Sequence, residues 1–303
     1  MPPVRFSFWA NASQPWEGVL EEAAHAASTG WDGVWVSDHF FTNDGSRDRS
    51  PHEAWTLLAA LAVAVPRVRL GVLVSGNTYR HPAVLTKQAA TVDHVSGGRV
   101  VLGLGAGWQA FEHRAFGIEL PPPAVRVRML EEACRVVKGL TRQDSLDLDG
   151  TYYRLDGAFL APAPLQRPIP LLVGGAGERH TMRIAATYAD EWNTWGTPET
   201  MAAKRAVLER HCETVGRDPA TLLVSCQAVF TLQGADGPAP GRAPGAGFPK
   251  VEGTAAELVE AIGRYSDAGV GEVIVPHFSL GSGPERLDAL ERFRTDVIDA
   301  SRA

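Results

Sequence analysis

The chain has 303 residues, 45% of them hydrophobic, and a formal net charge of −6. At that length roughly 75% of the unfolded surface can be buried on folding, and neither the acidic balance nor any run of like charge offers a nucleic-acid footprint. Three scattered cysteines (Cys134, Cys212, Cys226) with no C-x-x-C pair argue for free thiols and against a disulfide frame or zinc knuckle.

No segment approaches the ~20 apolar residues of a membrane span. The start "MPPVRFSFWANASQPW" has no basic-flanked apolar core of a secretory signal, so a soluble cytoplasmic protein is expected. In chain order, "RFSFWA" (5–10) predicts a first strand and the apolar spacing over 16–29 a helix. "GVWVSDH" (33–39) predicts a second strand, with a helix over 52–65. "VRLGVLVSG" (68–76) and "RVVLGLGAG" (99–107) come next, with helices over 82–95 and 126–140. "IPLLVGG" (169–175), "DEWNTWG" (190–196), "TLLVSCQAVF" (221–230) and "GEVIVPHF" (271–278) predict four more strands. Their helices fall over 178–188, 198–215, 254–268 and 284–300.

Strands alternating with helices imply parallel pairing, because parallel neighbours need crossover connections. Several runs are apolar on both faces, as in a sheet covered on both sides. The α/β pattern therefore predicts a single (β/α)8 TIM barrel over residues 1–303, with an open doubly wound sheet as the alternative. Gly30, Gly97, Gly98 and Gly269 stand just after helices, where a left-handed cap is needed. Two stretches depart from the repeat. Residues 142–168 carry alternating runs around Asp149-Gly150 and predict an inserted hairpin. Residues 233–253, "QGADGPAPGRAPGAGFPKVEG", predict a lid loop on the active-site face.

In a barrel the C-terminal strand ends face one pocket. Those ends collect Asn11, Asp38, His39, Ser75, Gly76, Asn77, Gly105, Ala106, Gly107 and Trp108. They also collect Gly174, Gly175, Ala176, Gly177, Asn193, Thr194, Trp195 and His277. The set is rich in glycine, aromatics and neutral hydrogen-bonding groups, which suits a large planar ligand. No metal is expected, since converging His and carboxylate ligands are missing and His25, His94 and His211 lie in helical stretches. "LGLGAGW" (102–108) lacks the G-x-G-x-x-G spacing of a dinucleotide fingerprint. "LLVGGAGERHT" (171–181) joins a strand to a helix start, where backbone N–H groups near Arg179 could hold a phosphate. Arg80 is expected to anchor the rim, His81 to cap a helix, and Glu112 to stabilise a helix N-terminus.

Three segments together, "VWVSDHF", "LGVLVSGNTYRHPAVLTKQAATVDHVSGGRVVLGLGAGWQAFEHRAFGIELP" and "LLVGGAGERHTMRIAATYADEWNTWG", carry a family pattern. The sequence resembles the bacterial luciferase-like flavin and deazaflavin oxidoreductases, in the branch that depends on coenzyme F420. The resemblance implies a (β/α)8 barrel with the cofactor ring across its mouth, near Asp38, His39, Ser75, Gly76 and Asn77. It implies a non-prolyl cis peptide behind that ring, at Leu73–Val74 or next to it. It implies that Gly174, Gly175, Ala176 and Gly177 meet the cofactor phosphate, while Gly105, Ala106, Gly107 and Trp108 line the pocket. It also favours a homodimer through the early helices. One departure stands out: related sugar-phosphate dehydrogenases carry an acidic residue after the fourth-strand glycines, and this chain has Trp108 there.

The expected reaction is hydride transfer between coenzyme F420 and a partly apolar small molecule. His39 is expected to move the proton, since an imidazole titrates near neutral pH. Asp38 is expected to fix the imidazole's partner or to bond the ring. Phe40 and Phe41 either wall the cofactor or close the rim. The alternatives are an FMN-dependent monooxygenase on the same barrel and a flavin or deazaflavin carrier without turnover.

Overall fold

The computed structural model describes residues 3–42, 49–234, 237–238 and 247–303. The chain begins with β1 (Arg5–Trp9), α1 (Trp16–Ser28), β2 (Gly33–Val36), α2 (Ala54–Ala64), β3 (Arg69–Val72) and β4 (Ser75–Gly76). It continues with α3 (Pro82–Ser96), β5 (Val100–Gly105), α4 (Ala110–Phe116), α5 (Pro123–Arg142), β6 (Leu146–Asp149) and β7 (Arg154–Ala158). Next come β8 (Leu171–Gly174), α6 (Thr181–Tyr188), β9 (Glu191–Trp195), α7 (Pro198–Thr214), β10 (Leu223–Gln227) and β11 (Val229–Gly234). The last elements are β12 (Gly237–Pro238), β13 (Lys250–Gly253), α8 (Ala255–Asp267), β14 (Glu272–Pro276) and α9 (Pro284–Phe293).

The strand order β3-β2-β1-β14-β10-β9-β8-β5-β4, with β3 also paired to β5, closes a parallel barrel. With β3 and β4 as two halves of one strand, this is the eight-stranded barrel expected from the alternation, and the open sheet is set aside. The break between β3 and β4 falls at a cis peptide between Leu73 and Val74, where the resemblance placed one.

Local chemistry sets the helix ends. Thr254 and Glu257 form a reciprocal capping box on α8. His81 accepts the Ala83 N–H at the start of α3, and Pro82 fills the position where no donor is needed. Gly97 closes α3 at φ 69°.

Alternation along the strands sorts the core into two parts. Outward side chains such as Val34, Val36, Leu102, Val173 and Val275 meet the helices in the larger cluster. Inward ones, Trp35, Leu73, Val101, Leu172 and Ile274, fill the barrel. Its N-terminal end is charged instead: Arg69 pairs with both Glu191 and Glu272, and Glu272 also accepts from Ser7 Oγ at 2.6 Å and Trp35 Nε1 at 3.1 Å.

Three details differ from the sequence expectation. The seventh strand stops at Gln227, and β11 leaves the barrel to pair in parallel with β13. The ends of the 233–253 stretch are thus partly strand, while residues 235–236 and 239–246 of the expected lid lie outside the described residues. The β6–β7 hairpin forms, but its turn spans 150–153 because the Glu132 carboxylate accepts the N–H groups of Thr151, Tyr152 and Tyr153 at 2.7, 2.8 and 3.0 Å. Finally, α4 is an unexpected helix, too short for periodicity to show and ended by Gly117 at φ 67°.

Candidate active site

Asp38 follows β2 and is 4% exposed. Its carboxylate accepts the Gly76 N–H at 3.0 Å and a forked pair of Arg80 N–H groups at 2.7 and 2.9 Å. Arg80 also reaches Glu53, so it anchors the rim as expected. Asp38 therefore ties β2 to the β4 end. Of the two roles expected for Asp38, fixing the imidazole's partner is corrected, because a different carboxylate bonds His39 directly; bonding the ring stays an expectation.

That carboxylate is Glu112, which is fully buried in the first turn of α4. His39 Nδ1 stands 3.1 and 3.2 Å from its two oxygens. The same group accepts the N–H of Phe40 and of Phe41, each at 3.1 Å, and the Tyr79 hydroxyl. Burial alone would raise the Glu112 pKa, but the hydrogen bonds from His39 and Tyr79 outweigh it and hold the carboxyl below its ordinary value. An ionised acceptor fixes the Nδ1–H tautomer of His39, which leaves the Nε2 lone pair free. The helix-end role expected for Glu112 is thus secondary to its bond across to β2. Burial, then the bond to Glu112, pushes the Tyr79 hydroxyl pKa well up, so it stays a donor.

The rim around this pair is aromatic. Trp108, 59% exposed, presents its ring edge-on to His39 at 5.7 Å. Phe40 packs on Tyr79 and Phe116, each at 4.6 Å, and Phe41 on Phe111 at 5.1 Å and Phe116 at 5.6 Å. Those two phenylalanines close the rim against α4.

The strand-end glycines serve Val74. A Cβ on Gly105 would stand 2.6 Å from Val74 Cγ2, and one on Gly174 would stand 2.8 Å from Cγ1. Gly105 and Gly174 therefore make room for a side chain that sits on the inner core and floors the mouth. Ser75 points away from the mouth, accepting from Trp55 Nε1 at 3.0 Å. Asn77 donates to the Tyr153 hydroxyl at 3.0 Å, while its own Oδ1 is buried without a partner. Ala106 is partly buried against the outer core, and Gly107, at φ 75°, lies against Thr78.

After β8, Gly175 donates to the Asn193 carbonyl at 2.9 Å and accepts from Trp192 Nε1 at 3.0 Å. Ala176 and Gly177 are exposed, and their N–H groups meet no acceptor among the described residues. Among the described residues no group of three or more His, Cys, Asp or Glu converges as a metal site. Among the described residues no helix is long and apolar enough to cross a membrane. Sequence reasoning missed Glu112 and Tyr79 as members of the site. The available signal was a lone carboxylate inside the aromatic stretch "GWQAFEHRAF".

A closed parallel barrel with an imidazole–carboxylate pair at its C-terminal mouth is the architecture of a (β/α)8 enzyme. The profile of the family described as Luciferase-like monooxygenase matches residues 2–236, and the chain belongs to that family. It is 34% identical over 174 residues to the F420-dependent glucose-6-phosphate dehydrogenase of Amycolatopsis mediterranei (strain U-32), covering 56% of this chain and 50% of that protein. The chain thus spans about half the length of that relative. An uncharacterized protein of Mycobacterium bovis (strain ATCC BAA-935 / AF2122/97) is 30% identical over 319 residues, covering 97% of this chain and 99% of its own length.

Among solved structures, an F420-dependent secondary alcohol dehydrogenase in complex with an F420-acetone adduct superposes with a TM-score of 0.83 at 22% identity, over 99% of this chain and 100% of that one. The EDTA monooxygenase of Chelativorans sp. BNC1 gives 0.80 at 17% identity, over 99% and 93%. At such identities these two likenesses concern the fold.

Proposed function

We propose that the chain is an oxidoreductase that transfers a hydride between coenzyme F420 and a partly apolar organic substrate, with His39 as proton donor or acceptor. The observation that carries this is the buried Glu112 carboxylate holding Nδ1 of an imidazole at the mouth of the barrel. The dehydrogenases among its relatives, named for F420, support the choice of cofactor.

The residues present fit such a group. Val74 supplies a floor between Gly105 and Gly174, and the N–H groups of Ala176 and Gly177 lie open to a phosphate. Leu73, Val74, Gly76, Asn77 and Asp38 would hold the ring end, and the Gly174 to Gly177 turn the phosphate end. Bound there, a deazaflavin supplies a two-electron hydride carrier.

The chain's own part is to exclude water, to orient, and to move one proton at His39 Nε2. With Nδ1–H committed to Glu112, Nε2 takes a proton from a hydroxyl in the oxidising direction and returns it in the other. Trp108 covers one edge of that imidazole and carries no acid, so the proton role falls to His39 alone on this side.

Titration with coenzyme F420 and with FMN, followed by visible spectra, tests the assignment. F420 is expected to bind in the micromolar range or tighter, and a failure of both to bind below millimolar overturns the enzymatic reading. Tighter FMN binding would favour the second reading, a flavin monooxygenase, for which the shared fold with EDTA monooxygenase is the support. His39→Ala should keep cofactor binding and lose about a hundredfold or more in turnover. A homodimer goes with this reading, supported by exposed Val63 on α2 and Val84 and Val95 on α3. Sedimentation analysis checks it.

A further inference from the structure

Across the mouth from His39, the strand ends have a different chemistry. The inward positions there are Ser7 and Trp9 on β1, Asn193 and Trp195 on β9, and Ser225 and Gln227 on β10, as the Ser7–Glu272 and Asn193–Ser225 hydrogen bonds show. Trp9, Trp195 and Gln227 therefore form the top inward layer, and Gln227 is in register beside Trp195.

The rings form one cluster. Trp9 lies 5.8 Å from Trp195, and Phe278 lies 6.3 Å from each. Phe248 adds a fourth wall, 4.8 Å from Trp195 and 5.7 Å from Phe278. Two polar atoms on these inward side chains are buried without a partner: Trp9 Nε1, a donor, and Oε1 of Gln227, an acceptor on a side chain only 4% exposed. Buried polar atoms are nearly always paired. A ligand hydroxyl accepts from Trp9 Nε1 and gives its one hydrogen to Gln227 Oε1 in the resting complex, turning it to His39 Nε2 only for the proton transfer.

Among the described residues, the strand ends on this side carry no counter-charge. The strand-end stretches 9–14, 193–199, 227–233 and 276–283 contain no Lys or Arg. His277 is pushed down to about 3 by burial, with nearby Arg286 adding to the effect, so it is neutral at neutral pH. Arg286 itself is committed to Glu22 and to the Gly281 carbonyl. A phosphate ester placed here would lose water and gain no cation from the described strand ends, which is costly.

We propose that this aromatic half of the mouth is the substrate subsite, and that it takes a neutral, flat, ring-bearing alcohol and rejects sugar phosphates. The inference rests on the oxidoreductase reading above and extends it to the substrate class.

The test is calorimetric titration of the F420-loaded protein with three probes: 1-indanol, indane and glucose 6-phosphate. F420 loading is followed separately by its visible spectrum. Indanol is expected to bind with a Kd below millimolar, indane about tenfold more weakly, and glucose 6-phosphate not measurably. Trp195→Ala should weaken indanol about tenfold, with Trp195→Phe restoring most of it. Gln227→Leu should bring indanol and indane to within about twofold of each other. Loaded protein that ignores indanol, or that prefers glucose 6-phosphate, overturns the substrate class and leaves the cofactor assignment standing. Failure of F420 to load overturns the function reading, and with it this inference.

Discussion

With Glu112 at hydrogen-bond distance from Nδ1, the His39 imidazole has one nitrogen committed and one free. In the proposed reaction Glu112 acts through His39, so it is a positioning residue. Glu112→Gln should keep F420 binding, lower turnover by about tenfold or more, and shift the pH–rate profile, because the amide no longer stabilises the imidazolium. Its depressed pKa also links to stability. A carboxyl held below 4.5 in the fold stabilises it above that pH and loses the contribution as pH falls through the folded value. The gap in unfolding midpoint between wild type and Glu112→Gln should therefore shrink from pH 7 to pH 4. Asp38 carries more weight in stability than in proton transfer. Removing it leaves Arg80 half-paired in a buried site, and Asp38→Ala should cost about 3 kcal/mol in denaturant unfolding.

At the scale of elements, the mouth floor depends on glycines from neighbouring strands. Gly105 on β5 and Gly174 on β8 have no room for a Cβ while Val74 sits between them. Val74 is stiff at χ1 and cannot swing its methyl groups aside cheaply. Gly174→Ala should cost about 1–3 kcal/mol and weaken F420 binding in the same protein, measured by denaturation and by visible titration. The strand and helix positions were legible in the sequence because their periods of two and 3.6 persist over enough residues. Short α4 was not legible, and the break of β10 from β11 at Ala228 was hidden inside one continuous apolar run. In the hairpin the Asp149-Gly150 signal marked the place, but the Glu132 carboxylate on α5 set the loop length.

At the scale of the whole molecule, the barrel interior is divided between a proposed chemical end and a charged end. Arg69 bridges Glu191 and Glu272 at the N-terminal end, and the two carboxylates raise its pKa against the effect of burial. Burial pushes Glu191 up in turn, even with Arg69 beside it. Arg69→Ala leaves Glu191 without its hydrogen-bonded cation and Glu272 with Arg5 alone, 3.8 Å away, and should cost about 3–5 kcal/mol at pH 8. Without Arg69 nothing offsets the burial that already pushes the Glu191 carboxyl up, so the folded state binds more protons there. The deficit of the variant should then narrow as pH falls toward 5, read from unfolding midpoints at the two pH values.

The sequence by itself determined the alternation, the closure into eight units, the mouth as the expected place for chemistry, and Asp38 and His39 as residues at one strand end. Those follow from local periods and turn chemistry, which neighbouring residues carry. The tertiary structure decided which carboxylate serves His39, because Glu112 is 73 residues away and the choice depends on how α4 packs over the rim. It also decided that Gly105 and Gly174 make room for Val74, and that Trp9, Trp195 and Phe278 meet in one cluster. Contacts between distant strand ends exist only once the barrel closes.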